Sequence, residues 1–129
     1  MEMSPEQINQ AQTLENGMRE AEQHLEFIEN QISELSAFNS HLDSFSKSNE
    51  KKILSSIGKG VYVNTELKDK NLLVEVGKGI MINKSPESVQ ETVKGQIKKL
   101  SEAREYLQNQ MDLYINSLNS LINTIQVKD

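Results

Sequence analysis

The side chains that could do chemistry are few, and their spacing gives them little to do together. His24 and His41 stand 17 positions apart, with no second histidine at the helical spacing a metal site uses. Both fall on the flanks of a predicted helix, where solvated imidazoles are expected. There is no cysteine, so disulfides and thiolate-bound metals are excluded. Glu15, Glu22, Glu26 and Glu29 form an acidic row on an exposed helix face, with no neighbour able to raise a carboxyl into the general-acid range. No nucleophile stands beside a base. Gly-Lys-Gly occurs twice, at 58–60 and 77–79, and invites a phosphate-loop reading. A phosphate loop needs four residues between its first glycine and Gly-Lys, then Ser or Thr, and neither copy has them. The glycines fit positive φ at a hairpin turn or bulge instead. Tyr62, Tyr106 and Tyr114 are too scattered to stack nucleic-acid bases. The expectation is a protein that is not an enzyme and needs no cofactor or metal.

Charge sharpens the exclusion. Residues 1–50 carry ten acids against Arg19 and Lys47, whereas residues 51–84 carry seven lysines against three acids. The chain as a whole has a formal charge of −5, which argues against a nucleic-acid partner, since that requires a basic face. The central lysines read as solvated faces and protection for strand edges. No stretch approaches the roughly 20 apolar residues a membrane span needs, and the first dozen residues lack a leader pattern. A soluble, cytoplasmic protein without a membrane partner is expected, and a reducing compartment fits.

Aromatic residues make up 5% of the chain, with no Trp, which leaves a compact core thinly supplied. Long helices with one narrow apolar seam suit such a composition. Ser4-Pro5-Glu6-Gln7 is a helix start, with Ser4 and Gln7 placed for a capping box and Pro5 at the first helical position. Apolar residues then recur at alternating steps of three and four: Ala11, Leu14, Met18, Ala21, Leu25, Ile28, Ile32, Leu35 and Leu42, with Asn39 as the polar interruption. Ser44–Asn49 is expected to break this helix. Ser85-Pro86-Glu87 repeats the start signal. A second seam follows through Val93, Ile97, Leu100, Leu107, Met111, Tyr114, Leu118, Leu121 and Ile125, with Arg104 as its misfit. The aliphatic stem of Arg104 can cover the seam while its guanidinium reaches water or an acid. Helices of about 5–46 and about 86–126 would each be roughly 60 Å long. Equal lengths and a short connector predict an antiparallel hairpin, with Leu25 near Leu107 and Leu14 near Leu118.

The connector, about 52–84, contains a 19-residue repeat. Residues 57–64 read Ile-Gly-Lys-Gly-Val-Tyr-Val-Asn and residues 76–83 read Val-Gly-Lys-Gly-Ile-Met-Ile-Asn. Only Tyr62 against Met81 differs in class. Four strands are predicted, near 52–57, 60–66, 72–77 and 79–84. Strands this short cannot bury themselves, and two unpaired edges would remain, so the segment needs partners from other chains. Its expected interface residues are Ile53, Ile57, Gly58, Gly60, Val61 and Val63 in the first unit. In the second they are Leu73, Val74, Val76, Gly77, Gly79, Ile80 and Ile82. The fold class is mainly α with a small β segment, as a single unit over residues 1–129.

The free ends of the helices carry apolar residues beyond the seam's needs. Met3, Ile8 and Ala11 lie at the first start, and Leu118, Leu121, Ile122, Ile125 and Val127 at the second end. They read either as frayed ends plus the last seam layer, or as an adaptable apolar tip that grips other polypeptides.

The plan of helix, doubled β unit and helix resembles the prefoldin family, and its alpha-type subunit in particular. The residues that carry the likeness are Ile53-Leu54, Ile57-Gly58 and Gly60-Val61-Tyr62-Val63, then Leu73-Val74-Glu75-Val76-Gly77, Gly79 and Ile82-Asn83-Lys84-Ser85. Ser55-Ser56 stands where the family commonly has Val-Pro. The resemblance implies a coiled-coil hairpin joined by two β-hairpins that assemble into an intersubunit β-barrel. It also implies an ATP-independent holdase, built from two alpha-type and four beta-type subunits as a hetero-hexamer. Coil tips in that family bind unfolded polypeptides and deliver them to a group II chaperonin. The alternative is an architectural relative that builds a complex or filament without holding clients.

Overall fold

In the computed structural model, which describes residues 3–127, helix α1 spans Pro5–Lys47 and helix α2 spans Pro86–Val127. Between them lie β1 (Lys52–Gly58), β2 (Val61–Glu66), β3 (Leu72–Gly77) and β4 (Ile80–Lys84). No predicted strand end moves by more than one residue; Gly60 and Gly79 belong to turns instead of starting strands. The capping box at the start of α1 forms both ways. Gln7 N–H donates to Ser4 Oγ at 3.1 Å, and Ser4 N–H donates to Gln7 Oε1 at 2.9 Å. Ser85 Oγ caps α2 by accepting from Ser88 N–H at 3.1 Å. Both caps satisfy amides that the first helical turn leaves without partners.

Helix α1 ends at Lys47, inside the Ser44–Asn49 stretch expected to break it. Lys47 Nζ reaches Asp43 one turn back, at 2.9 Å, and the last carbonyls of the helix find a partner described below. The chain divides into two compact units, one formed by residues up to Glu34 together with those from Ile97, the other by Leu35–Gln96.

In the first unit the helices pack seam to seam. Ala21 is buried, and Ala11, Leu14, Met18, Leu25, Ile28 and Ile32 are half-buried, while flanking Glu15, Glu22, Glu26 and Glu29 are exposed. On α2 the seam from Ile97 to Ile125 is likewise half-buried, Arg104 included. No ion pair reaches the Arg104 guanidinium among the described residues. The direction of pairing follows from neighbours. Leu14 shares a groove with Ser117 and Leu121, Gly17 lies against the Tyr114 ring, and Ala21 shares a groove with Leu107 and Gln110. Rising numbers on α1 meet falling numbers on α2, which is an antiparallel pair. Gly17 sits where a side chain would have to displace the outer end of the Tyr114 ring. A Cβ there would lie 2.7 Å from two carbons of the Tyr114 ring.

In the second unit Leu42, Val93 and Pro86 are buried. Asn39 is half-buried on the seam, and its Oδ1 is buried with no hydrogen-bond partner among the described residues. Two polar ties link the end of α1 to the start of α2. Ser46 Oγ donates to Glu87 Oε1 at 2.7 Å, and Gln90 Nε2 donates to Asp43 Oδ1 at 3.4 Å.

The strands form two separate antiparallel hairpins, β1 with β2 and β3 with β4, and no ladder joins one to the other. The expectation of two free edges is therefore corrected to four, two on each hairpin. In the first turn φ is 51° at Lys59 and 77° at Gly60, and in the second 48° at Lys78 and 77° at Gly79. Positive φ at both central residues is what a tight hairpin needs to match strand twist. A register shift before each turn makes a bulge, where Gly58 and Gly77 take φ of 112° and 137°. The glycines serve as anticipated; the lysines adopt the same strained region.

Candidate functional site

Alternation of side chains decides what the hairpins present. The register pairs Ile53 with Thr65 and Ser55 with Val63, which puts these four on one face of the first hairpin. Leu54, Ser56, Tyr62 and Asn64 occupy the other. In the second hairpin Leu72, Val74, Ile82 and Lys84 share one face, and Leu73, Glu75, Met81 and Asn83 the other. The 19-residue repeat thus superposes face on face, with Ser55 and Thr65 replaced by Val74 and Lys84. In the first hairpin that polar pair bonds to itself, hydroxyl to hydroxyl at 3.0 Å. The apolar row is therefore interrupted in the first hairpin and continuous over Leu72, Val74 and Ile82 in the second.

Neither face is covered. Ile57 is 71% exposed, Leu54 66% and Leu73 64%, and Ile53, Val61, Val63, Val76, Ile80 and Ile82 are exposed as well. Val74 is half-buried, and Gly58, Gly60, Gly77 and Gly79 shape the bulges and turns. Leu54, Tyr62 and Met81 belong to the same exposed surface, although the expected interface did not include them. Their cross-strand neighbours, Asn64, Ser56 and Glu75, give that face a mixed pattern that hides an apolar role. Burying one such side chain is worth about 1.5–3 kcal/mol, against an association cost of about 4–15 kcal/mol. One or two burials would not hold a complex. A surface of eleven large apolar residues with four open edges can.

The expectation for the central lysines is corrected at two positions. Lys84 is half-buried, not solvated, and so is Lys70. Lys70 Nζ donates to the backbone carbonyls of Phe45 and Ser46, each at 3.0 Å, and to that of Ser48. It also lies 5.9 Å from the centroid of the Phe45 ring. Nearby, the Ser46 hydroxyl and then a backbone amide hold the Glu87 carboxyl below its ordinary range. Hydrogen bonds from Lys47 and then Gln90 do the same for Asp43. The leading donor is the charged Lys47 ammonium at Asp43 and a neutral hydroxyl at Glu87.

The expected tip residues fall into two groups in the first unit. Ala11, Leu118, Leu121 and Ile125 are half-buried seam members, whereas Ile8 and Ile122 are exposed, at 43% and 42%. Met3 is half-buried, and the side chain of Val127 lies outside the described residues. Leu113 and Ile115, which precede the tip stretch on α2 and stand off the seam, are exposed as well. An open groove of about 440 Å³ runs between the helices, lined by Asn9, Gln10, Thr13, Leu14, Ser117 and Leu121. His24 and His41 are exposed. No described helix is long and apolar enough to cross a membrane.

Two long helices joined through two antiparallel hairpins, each with open edges and uncovered apolar faces, define the class of fold. Residues 14–129 match the family model described as Prefoldin subunit, and the chain belongs to the prefoldin family. Its fold is similar to that of a filamentous PFD from Methanocaldococcus jannaschii solved by cryo-EM. The match has a TM-score of 0.73 at 19% identity, over 90% of this chain and 98% of that one. No curated protein matches the chain.

Proposed function

We propose that this chain is an alpha-type prefoldin subunit acting as an ATP-independent holdase. Its two hairpins join those of beta-type subunits in an intersubunit β-barrel, two alpha-type with four beta-type chains. Its coil tip holds unfolded polypeptide for delivery to a group II chaperonin. The observation that carries the reading is the doubled hairpin with its uncovered apolar faces, which has no use in an isolated chain. Exposed Ile8 and Ile122, with exposed Ile115 two turns earlier than Ile122 on α2, supply the small apolar grips that a non-hydrolysing holdase needs. Several such grips on linked subunits bind more tightly than any one, with no new chemistry. The reading assigns no catalysis and no cofactor.

The test is suppression of aggregation of a chemically denatured client, without nucleotide, by the chain mixed with a beta-type partner. The wild-type mixture is expected to suppress light scattering. The triple variant Ile8→Ser, Ile115→Ser and Ile122→Ser is expected to lose most of that effect while still assembling. Full suppression by the triple variant would refute the tip assignment. An assembled complex that never suppresses aggregation would favour the architectural alternative, for which the filamentous relative offers a structural parallel.

A further inference from the structure

We propose that Lys70 is a positioning residue: one cation that pins the junction of the two hairpins to the end of α1 and thereby presets their orientation for assembly. An ammonium has three N–H donors, and here three backbone carbonyls receive them, those of Phe45, Ser46 and Ser48. The carbonyls of Phe45 and Ser46 belong to the last turn of α1, where helix geometry leaves acceptors without partners. Many helices meet this need with a left-handed residue just past the end. Among the described residues, every positive φ lies in the two hairpin turns or the bulges before them, so α1 has no such terminator. Lys70 supplies the donors instead. Its positive charge also opposes the partial negative charge of the helix C-terminus, and the Phe45 ring stands at cation–π distance.

The position of Lys70 in the chain gives the cap its consequence. It lies in the connection between β2 and β3, so fixing it fixes the origin of both hairpins. The connection is itself shaped around it. Leu67 N–H donates to Lys51 O at 2.7 Å, closing the base of the first hairpin. Asp69 Oδ1 accepts from Asn71 N–H at 2.9 Å, turning the chain into β3. Ser46, one of the three acceptors, also donates its hydroxyl to Glu87 at the start of α2. The repeat places Lys51 where Lys70 stands one unit later, yet Lys51 is exposed and its ammonium makes no such bonds among the described residues. The residue type is repeated; the role is not.

The absence of cysteine allows a clean test in the full chain. Spin labels at Ser40→Cys with Lys59→Cys, and at Ser40→Cys with Lys78→Cys, report the distance from α1 to each hairpin turn. A narrow distribution is expected for both pairs. Lys70→Met is expected to broaden both about twofold with helicity by circular dichroism unchanged, and Lys70→Arg is expected to retain the narrow form. Unchanged distributions in Lys70→Met, or equal broadening in Lys70→Arg, would overturn the pin. A second arm rests on the proposed hairpin assembly: Lys70→Met should weaken association with a beta-type subunit by about tenfold or more. Equal association would overturn the role in assembly. If the wild-type chain itself failed to associate, the assembly reading would fall, while the label distances would still judge Lys70.

Discussion

Two helical glycines have no side chain for different reasons, and the same substitution should move them in opposite directions. At Gly17 an added methyl would meet the Tyr114 ring at 2.7 Å, while at Gly95 nothing stands within 4 Å. Gly95→Ala should therefore stabilise the chain by about 0.5–1 kcal/mol through helix propensity alone. Gly17→Ala should cost about 1–3 kcal/mol from overpacking, less that same gain. Thermal melts of both, with Gly17→Ala combined with Tyr114→Leu as the relieving double variant, check the signs; a stabilised Gly17→Ala would contradict the contact. Acid tests a second residue. The Glu87 carboxyl is held below its ordinary value of 4.5, first by the Ser46 hydroxyl. A lowered folded pKa contributes stability that is fully present above the unfolded value and lost as pH falls through the folded one. The melting temperature should thus drop below about pH 4.5, and less steeply in Glu87→Gln; identical slopes would rule out that contribution. Neither feature was legible in the sequence. A lone glycine in a heptad pattern does not announce which ring it faces, and Ser46 lies 41 positions from Glu87.

At the scale of elements the sequence was far more informative, because the elements rest on local chemistry. Ser4 with Gln7, and Ser85 before Pro86, mark helix starts through bonds spanning three residues. The seam from Ala11 to Leu42 follows a period that admits one burial pattern. The two hairpins that the resemblance implied are present as separate pairs, although the repeat by itself reads the same for one sheet of four strands. The strain at Lys59 was not legible, because the two flanking glycines disguise it. A left-handed L-residue costs roughly 1–2 kcal/mol. Lys59→Asn should recover about half of that, since asparagine suits this turn, and Lys59→Val should destabilise. Slower amide exchange across β1 and β2 in the first variant checks it; faster exchange would contradict the turn geometry. Asn39 gives the complementary test in α1. Its buried Oδ1 has no partner among the described residues, so Asn39→Leu should raise stability by about 1–3 kcal/mol. A lowered melting point would mean that the amide has a role the seam does not show.

At the scale of the molecule, the family membership explains why so much apolar surface can stand open. Eleven large apolar residues on the hairpins are exposed, a pattern that is a liability in a solitary chain and a requirement in an assembly subunit. The sequence showed this need for partners through its short, apolar, duplicated strands. It did not show Leu54, Tyr62 and Met81 as part of the surface, because mixed faces lack a clean alternation. The central claim is that the doubled hairpin exists to be completed by other chains, and native mass measurement of the chain mixed with beta-type prefoldin subunits tests it most directly. The account predicts a hexamer containing two copies of this chain and four of the partner, lost when Ile57 and Val76 are both changed to Asp. A chain that stays monomeric with every such partner, or a hexamer that survives those two charges, would contradict it.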